Sequence, residues 1–290
     1  MKKVAVITNF KIKDKADVAF AAAEKLVENG VTPLFLFYSF DNPGMKERAE
    51  KTGAAFLSNQ KLYAESDMVI VVGGDGTIID AVRNSVHYGI PVLGINMGRL
   101  GYLAELEVFE LDKLSDIVAG RYRTEKRTML KIELISGGRT VKTCTALNDA
   151  VVTNGSVARI VDLQLSENGN LVGNYRSDGM VISTPTGSTA YSLSAGGPIL
   201  DAGVRAFVVT PICAHSFAAR PMVFPDSAKL ELKNTSTREP FLILTADGKT
   251  NLRLGRDDVA VITKAEQEAL FVRVKPAKFY SDFARRLESI

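Results

Sequence analysis

The stretch Met68-Val-Ile-Val-Val-Gly-Gly-Asp-Gly-Thr77 restricts what this chain can fold into more than any other. Met68 to Val72 is a short apolar run rich in β-branched residues, which reads as a buried strand. Gly73, Gly74 and Gly76 end the run, interrupted by Asp75. From Thr77 to His87, Ile78, Ile79, Val82 and Val86 fall on one side of a helix. The order is strand, glycine turn, helix. Such a turn lets backbone N–H groups approach an anion, and the helix N-terminus adds partial positive charge. That is a phosphate cradle, in which a carboxylate is out of place. Two readings of Asp75 stay open. It caps the helix, as Asp does well, or it holds a metal ion or takes a proton from a hydroxyl beside the phosphate.

The flanking sequence repeats the alternation. Val4 to Ile7 reads as a first strand, Asp14 to Asn29 as a helix stopped by Gly30, and Thr32 to Phe37 as a second strand. Met45 to Lys51 fits a short helix and Pro91 to Asn96 another buried strand. Strands alternating with helices imply a parallel sheet with right-handed crossovers, whose ligands sit beyond the carboxyl ends of strands. Both Gly73-Gly74-Asp75-Gly76 and Asn96-Met-Gly-Arg-Leu-Gly101 follow strands in that way.

The pattern changes near Glu105. Leu111 to Val118 reads as a connecting helix closed by Gly120, and strands then follow one another. Met129 to Ile135 and Thr140 to Ala146 flank Ser136-Gly-Gly-Arg139, a hairpin signal. Val161 to Leu165 and Leu171 to Tyr175 flank Asn168-Gly-Asn170. Lys229 to Leu232, Phe241 to Thr245 and Asn251 to Leu254 continue the series, with Asp247-Gly248 as a tight turn. The expected fold is an α/β N-terminal domain with a parallel, Rossmann-like sheet, residues 1–105, and a β-rich, sandwich-like C-terminal domain, residues 106–269.

Composition excludes more than it selects. With 290 residues, 46% of them hydrophobic, the chain is long enough for a large core. A net charge of +3 and a pI near 8.7 are too mild to argue for a nucleic-acid partner. No apolar run reaches membrane-spanning length, and the basic start Met1 to Asn9 fits a first strand better than a signal peptide. Only Cys144 and Cys213 occur, both in apolar or strand-like context. They read as buried free thiols of a cytoplasmic protein. His87 and His215 show no zinc-site spacing.

A second stretch is more specific than the first. Ser183-Thr-Pro-Thr-Gly-Ser-Thr-Ala-Tyr-Ser-Leu-Ser-Ala-Gly-Gly-Pro198 crowds small hydroxyl residues around one Pro and one Gly, a turn entering a helix. Its hydroxyls and N–H groups can meet phosphate or ribose oxygens, or it is an ordinary polar loop. The Gly-Gly-Asp-Gly-Thr77 run resembles a signature shared by NAD kinases and by the related diacylglycerol and sphingosine lipid kinases. The Ser183 to Pro198 stretch resembles the NAD kinase signature nearly residue for residue. The resemblance to bacterial-type NAD kinases covers most of the chain.

That resemblance implies a function and a set of site residues. Asp75 would be the general base that orients the 2′-hydroxyl of the adenosine ribose of NAD and accepts its proton as a terminal phosphoryl group arrives. Gly74 and Gly76 would shape the turn, and Asn96 would pack beside it. Thr189, Ala190 and Tyr191 would frame the dinucleotide, with Ser188 and Ser194 adding hydrogen bonds. Asn148 and Asp149 would grip the ribose hydroxyls. The family usually has Glu where this chain has Asp149, one methylene shorter, and Asn-Asp is also good turn chemistry. Arg176 and Asp178 would lie toward the nicotinamide end, against the alternative of a surface turn. Asp247 would lie near the phosphates, or merely turn a hairpin, while Arg99 either meets phosphate or lies on the surface. The implied partners are NAD and either ATP or polyphosphate, with magnesium carried in by the donor and no protein metal site. Also implied are a homodimer or homotetramer and a C-terminal tail, residues 270–290, folded back on the N-terminal domain with Phe283 and Leu287 at helical spacing. There is no Gly-x-x-x-x-Gly-Lys-Ser/Thr loop. The rivals are a lipid kinase, which should lack the Thr184 to Tyr191 signature, and a dinucleotide sensor without turnover.

Overall fold

The computed structural model describes residues 1–37, 43–98, 101–155, 159–216, 219–276 and Tyr280. Two compact units emerge, one of Met1–Lys126 together with the segment from Ala269, the other of Arg127–Glu268. The stretch 106–126 therefore stays with the first unit rather than opening the β-rich one.

The first unit is built from β1 (Lys3–Ile7), α1 (Lys13–Glu28), β2 (Thr32–Leu36), α2 (Pro43–Lys51), β3 (Ala55–Leu57), α3 (Asn59–Glu65), β4 (Met68–Gly73), α4 (Asp75–Ser85), β5 (Val92–Asn96), β6 (Leu106–Glu107), α5 (Leu114–Val118) and β7 (Arg123–Arg127). The helix expected from Leu111 to Val118 is split, with a 3₁₀ stretch at Val108–Lys113 running into α5. Every residue of β4 and β5 is buried, as in parallel strands covered on both faces. Gly30 ends α1 in the left-handed region, φ 74°.

The second unit holds β8 (Leu130–Ser136), β9 (Arg139–Ala146), β10 (Asp149–Thr153), β11 (Val161–Glu167), β12 (Asn170–Ser177), β13 (Gly179–Ser183), α6 (Tyr191–Ser194), β14 (Ala206–Ile212), β15 (Met222–Pro225), β16 (Leu230–Asn234), β17 (Phe241–Ala246), β18 (Thr250–Gly255) and β19 (Val259–Lys264). Among the described residues these form two six-stranded sheets, ordered β12-β11-β16-β19-β8-β9 and β15-β14-β13-β10-β17-β18, with antiparallel pairings. One core, including Leu163, Ile132, Met180, Phe207 and Leu244, draws on both. β8 and β11 bury alternate residues, the mark of a sheet with one face on a core. The hairpin turns are those the sequence announces. Gly137 and Gly138 (φ 56° and 74°), and Asn168 and Gly169 (φ 50° and 82°), place both central residues in the left-handed region.

The final described strand, β20 (Ala269–Arg273), returns to the first unit, whose sheet runs β3-β2-β1-β4-β5-β20-β7 with β6 also on β5. Apart from Tyr280, the expected C-terminal helix lies outside the described residues, as does Arg99. Cys144 is half-buried, but Cys213 is exposed rather than buried, because it stands just past the end of β14 with φ 47°. Among the described residues no helix is long and apolar enough to cross a membrane.

Candidate functional site

In the first unit the strand order places β4 beside β1. The chain runs outward from β1 through β2 to β3, then starts again on the other side with β4 and β5. The carboxyl ends of β1 and β4 therefore flank a topological switch point, where open α/β sheets bind ligands. Gly73 ends β4 there. Thr8 Oγ1 donates to Val72 O at 2.7 Å, and Met97 N to Gly73 O at 3.2 Å, so both neighbouring strands pin the turn.

The helix begins at Asp75 itself, two residues earlier than the apolar spacing suggests, with Gly74 as the N-cap. Asp75 does not cap its helix. Its Oδ2 accepts from Tyr102 N at 2.8 Å and its Oδ1 from Leu103 N at 3.1 Å. Each oxygen thus receives one backbone N–H from a distant loop, and the side chain stays half-buried. Gly74 is half-buried and Gly76 exposed. Gly101 makes the arrangement possible, because a Cβ there would lie 2.9 Å from Asp75 Cγ and closer still to Oδ1. Asn96 ends β5 opposite Gly73. It is buried, its Nδ2 donates to Glu107 Oε2 at 3.2 Å, and its Oδ1 has no partner.

In the second unit a second acidic cluster forms around Asn148 and Asp149. Asn148 follows the end of β9 and directly precedes β10, which Asp149 opens, with β13 and β17 on either side. Asp247, at the end of β17 with φ 48°, turns its carboxylate back onto their backbone. It accepts from Leu147 N at 2.9 Å, Asn148 N at 2.8 Å and Asp149 N at 3.2 Å, while its own N–H donates to Asp149 O at 3.0 Å. Asp149 is only 6% exposed. Burial, and then the charge of Asp247, push its carboxyl up to about 7. Asn148 Oδ1 is buried without a partner.

The Ser183 to Pro198 loop is laced to this cluster. Thr184 N donates to Asn148 O at 2.9 Å, Thr184 Oγ1 to Leu147 O at 2.6 Å, and Gly187 N to Thr184 Oγ1 at 3.1 Å. A Cβ on Gly187 would come within 2.7 Å of Asn148 Cα, so only glycine fits. The hydroxyls divide. Ser188 is fully buried, donating to Pro185 O at 2.6 Å and accepting from Leu200 N at 3.0 Å, so its hydroxyl is committed to the loop. Thr189 Oγ1 donates to Thr186 O at 3.2 Å, and Ala190 is half-buried. Tyr191 is 44% exposed and Ser194 is exposed, both free to meet a ligand. Arg176 and Asp178 are exposed where the chain passes from one sheet to the other. Their backbones are fixed, Arg176 O by His215 N and Asp178 N by Ile212 O, each at 2.9 Å.

Several groups escape a reading of the sequence. The Leu103 peptide, Arg127, which donates to Thr186 Oγ1 at 3.2 Å, and Arg273, which reaches Leu103 O at 3.1 Å, act through the fold alone. Gly101 and Gly187 lie in stretches the sequence singles out, although the reason for each glycine appears only in three dimensions. Among the described residues no group of three or more His, Cys, Asp or Glu is placed to hold a metal.

Comparison with known proteins agrees with both halves of this picture. Residues 12–122 match the ATP-NAD kinase N-terminal domain and residues 147–274 the ATP-NAD kinase C-terminal domain. The NAD kinase of Carboxydothermus hydrogenoformans is 43% identical over 215 residues, 74% of this chain and 76% of that protein. The NAD kinase of Citrifermentans bemidjiense is 34% identical over 99% of both chains. Among solved structures, a yeast NADH kinase complexed with NADH has a TM-score of 0.84 at 24% identity, covering 100% of this chain and 87% of that one. An Archaeoglobus fulgidus NAD kinase in complex with ATP has a TM-score of 0.73 at 24% identity, with full coverage of both. These two establish likeness of fold. With both family domains matched in order, and relatives this similar across nearly the whole sequence, the chain belongs to the NAD kinase family.

Proposed function

We propose that this protein transfers a terminal phosphoryl group from ATP or polyphosphate to the 2′-hydroxyl of the adenosine ribose of NAD, giving NADP, with Asp75 as general base. One observation carries the assignment of Asp75. Its carboxylate, at the turn ending β4, is held by two loop N–H groups instead of being used on its own helix. Each oxygen keeps a further lone-pair direction for a hydroxyl. Phosphoryl transfer is loose and needs little early deprotonation, so a carboxylate can serve as the proton acceptor. The backbone N–H groups of Gly74 and Gly76 fit the donor phosphates. Asn148 and Asp149 fit the ribose hydroxyls, and Asp149 as an anion offers acceptors only. Tyr191 offers an exposed ring to a base, while Thr189, Ala190 and Ser194 line the same loop. Arg176 and Asp178 are assigned to the nicotinamide end. Asp247 is assigned to the ribose side through the backbone it holds.

Magnesium is the implied ion: it binds chiefly through donor phosphates and waters with one or two carboxylates, and Asp75, half-buried with one backbone N–H on each oxygen, is the acid this turn offers it. Asp75 would hold its water shell, and the ion when bound supplies neutralising charge to the transferred group. The assembly is assigned as a homodimer or homotetramer in the cytoplasm, which light scattering and fractionation check. The test of the reaction is direct: purified protein, NAD or NADH, and ATP or polyphosphate, with and without magnesium. NADP or NADPH should accumulate. Saturable NAD binding with no phosphorylated product under any donor would leave a sensor, and phosphorylated diacylglycerol would move the chain to the lipid kinases.

A further inference from the structure

The Asp75 carboxylate hangs on the Tyr102 and Leu103 peptides, and the other side of that loop is fastened by a residue far along the chain. Arg273, at the end of β20, donates from Nη1 to Leu103 O at 3.1 Å across a sequence separation of 170. The same residue whose N–H holds Asp75 Oδ1 therefore gives its carbonyl to Arg273. The guanidinium is itself fixed. Its Nε donates to Glu125 Oε2 on β7 at 2.5 Å, and Glu105 Oε2 lies 3.4 Å from Nη1. The Arg273 and Glu105 side chains are each 8% exposed. Glu105 Oε1 accepts from Val274 N at 2.8 Å and Lys275 N at 2.7 Å, tying the residues after β20 to the same loop. Gly101 gives the loop no slack on the Asp75 side.

We propose that Arg273 is a positioning residue for phosphoryl transfer. It fixes the Leu103 carbonyl, and the N–H of the same residue, in the preceding peptide unit, sets where the Asp75 carboxylate points. The returning strand β20 thus serves the site as well as the sheet. This inference rests on the proposed role of Asp75. A planar guanidinium addresses two acids and a carbonyl at once, which a lysine ammonium cannot reproduce in the same geometry. A displacement of about 1 Å at a reacting group is enough to cost about 10²-fold in rate.

The test is a double-mutant cycle on Arg273→Lys and Asp75→Asn, each assayed for NADP formation below its own melting temperature. Arg273→Lys should lower kcat about 10–100-fold, with KM for NAD changing less than about twofold. The double variant should be no slower than Asp75→Asn alone, because a misplaced carboxylate that is already absent cannot be missed twice. Effects that multiply, or a folded Arg273→Lys with unchanged kcat, overturn the proposal and leave the Asp75 assignment standing. A full rate in Asp75→Asn overturns that assignment and the proposal with it. Should Arg273→Lys not fold, Glu125→Gln loosens the same guanidinium through Nε. A loss of about threefold in kcat with the same non-additivity then supports the proposal, and an unchanged kcat overturns it.

Discussion

Two acids at strand boundaries are handled in opposite ways. Asp75 is half-buried and receives one backbone N–H on each oxygen. Asp149 is 6% exposed, no hydrogen bond reaches its carboxylate among the described residues, and it faces the second carboxylate of Asp247. The N–H groups that could have served Asp149 are taken by Asp247 instead. The first acid is complete without a ligand and has its direction set by the protein. The second is incomplete: burial raises its carboxyl to about 7 and no protein donor among the described residues offsets that. Ribose hydroxyls would supply the missing donors. On the proposed assignments, the comparison separates an acid placed to do chemistry from an acid placed to bind.

The sharpest break is Asp75→Asn. The amide keeps one oxygen for a loop N–H but cannot take a proton, so kcat should fall about 10²–10⁴-fold with the fold intact by circular dichroism. A near-normal rate would remove the distinction between the two acids.

Gly101→Ala attacks the same acid without touching it. The added methyl enters the space of the Asp75 carboxylate, so either the carboxylate or the loop moves. We expect kcat to drop by about 10²-fold, with a stability loss of about 1–3 kcal/mol, the usual cost of overpacking. A wild-type rate would mean that the direction of Asp75 does not matter.

The binding acid should answer to pH. The Asp149 carboxyl is held at about 7 by burial and by the charge of Asp247. Hydroxyls donate better to the anion, so KM for NAD should fall as pH rises through about 7, by up to about tenfold per unit over that range. Asp247→Asn removes the facing charge, and the acid limb should move to lower pH. The same variant loses part of the clamp on Leu147 to Asp149, so KM at pH 8 should rise by about threefold, on the scale of one net hydrogen bond. An unmoved pH profile in that variant would detach Asp247 from Asp149.

What the sequence reveals follows the range of the forces involved. The hairpins at Gly137-Gly138 and Asn168-Gly169, the buried strand Met68 to Val72 and the glycine turn after it are local, and each residue type states its own backbone need. The start of α4 at Asp75 is less legible, because Gly74 caps through its backbone alone. The place of Asn148-Asp149 at the head of β10 depends on pairing with β13 and β17, which no local pattern declares. Ser188 resembles its neighbours in sequence, but only packing turns its hydroxyl inward. Arg273 is the extreme case, since its partners lie 148 and 170 residues away.

The smallest expected effect concerns stability, and it tests the comparison from the side of the fold. An acid whose carboxyl is raised by folding stabilises fully below its unfolded value, near 4, and that contribution is lost as pH rises toward about 7. At pH 8 the wild-type protein therefore carries a largely buried anion without a protein donor among the described residues, whereas at pH 5 the same group is held protonated. Asp149→Asn has no charge to bury at either pH. Its melting temperature should exceed the wild-type value at pH 8, by about 2–4 °C for each kcal/mol relieved, and the gap should shrink toward pH 5. NAD at saturating concentration should narrow the gap at pH 8 as well, because ligand hydroxyls relieve the wild-type anion and bind the variant less well. A gap that is the same at both pH values would show that burial at Asp149 carries no charge penalty. Asp149 and Asp75 would then differ in hydrogen bonding alone.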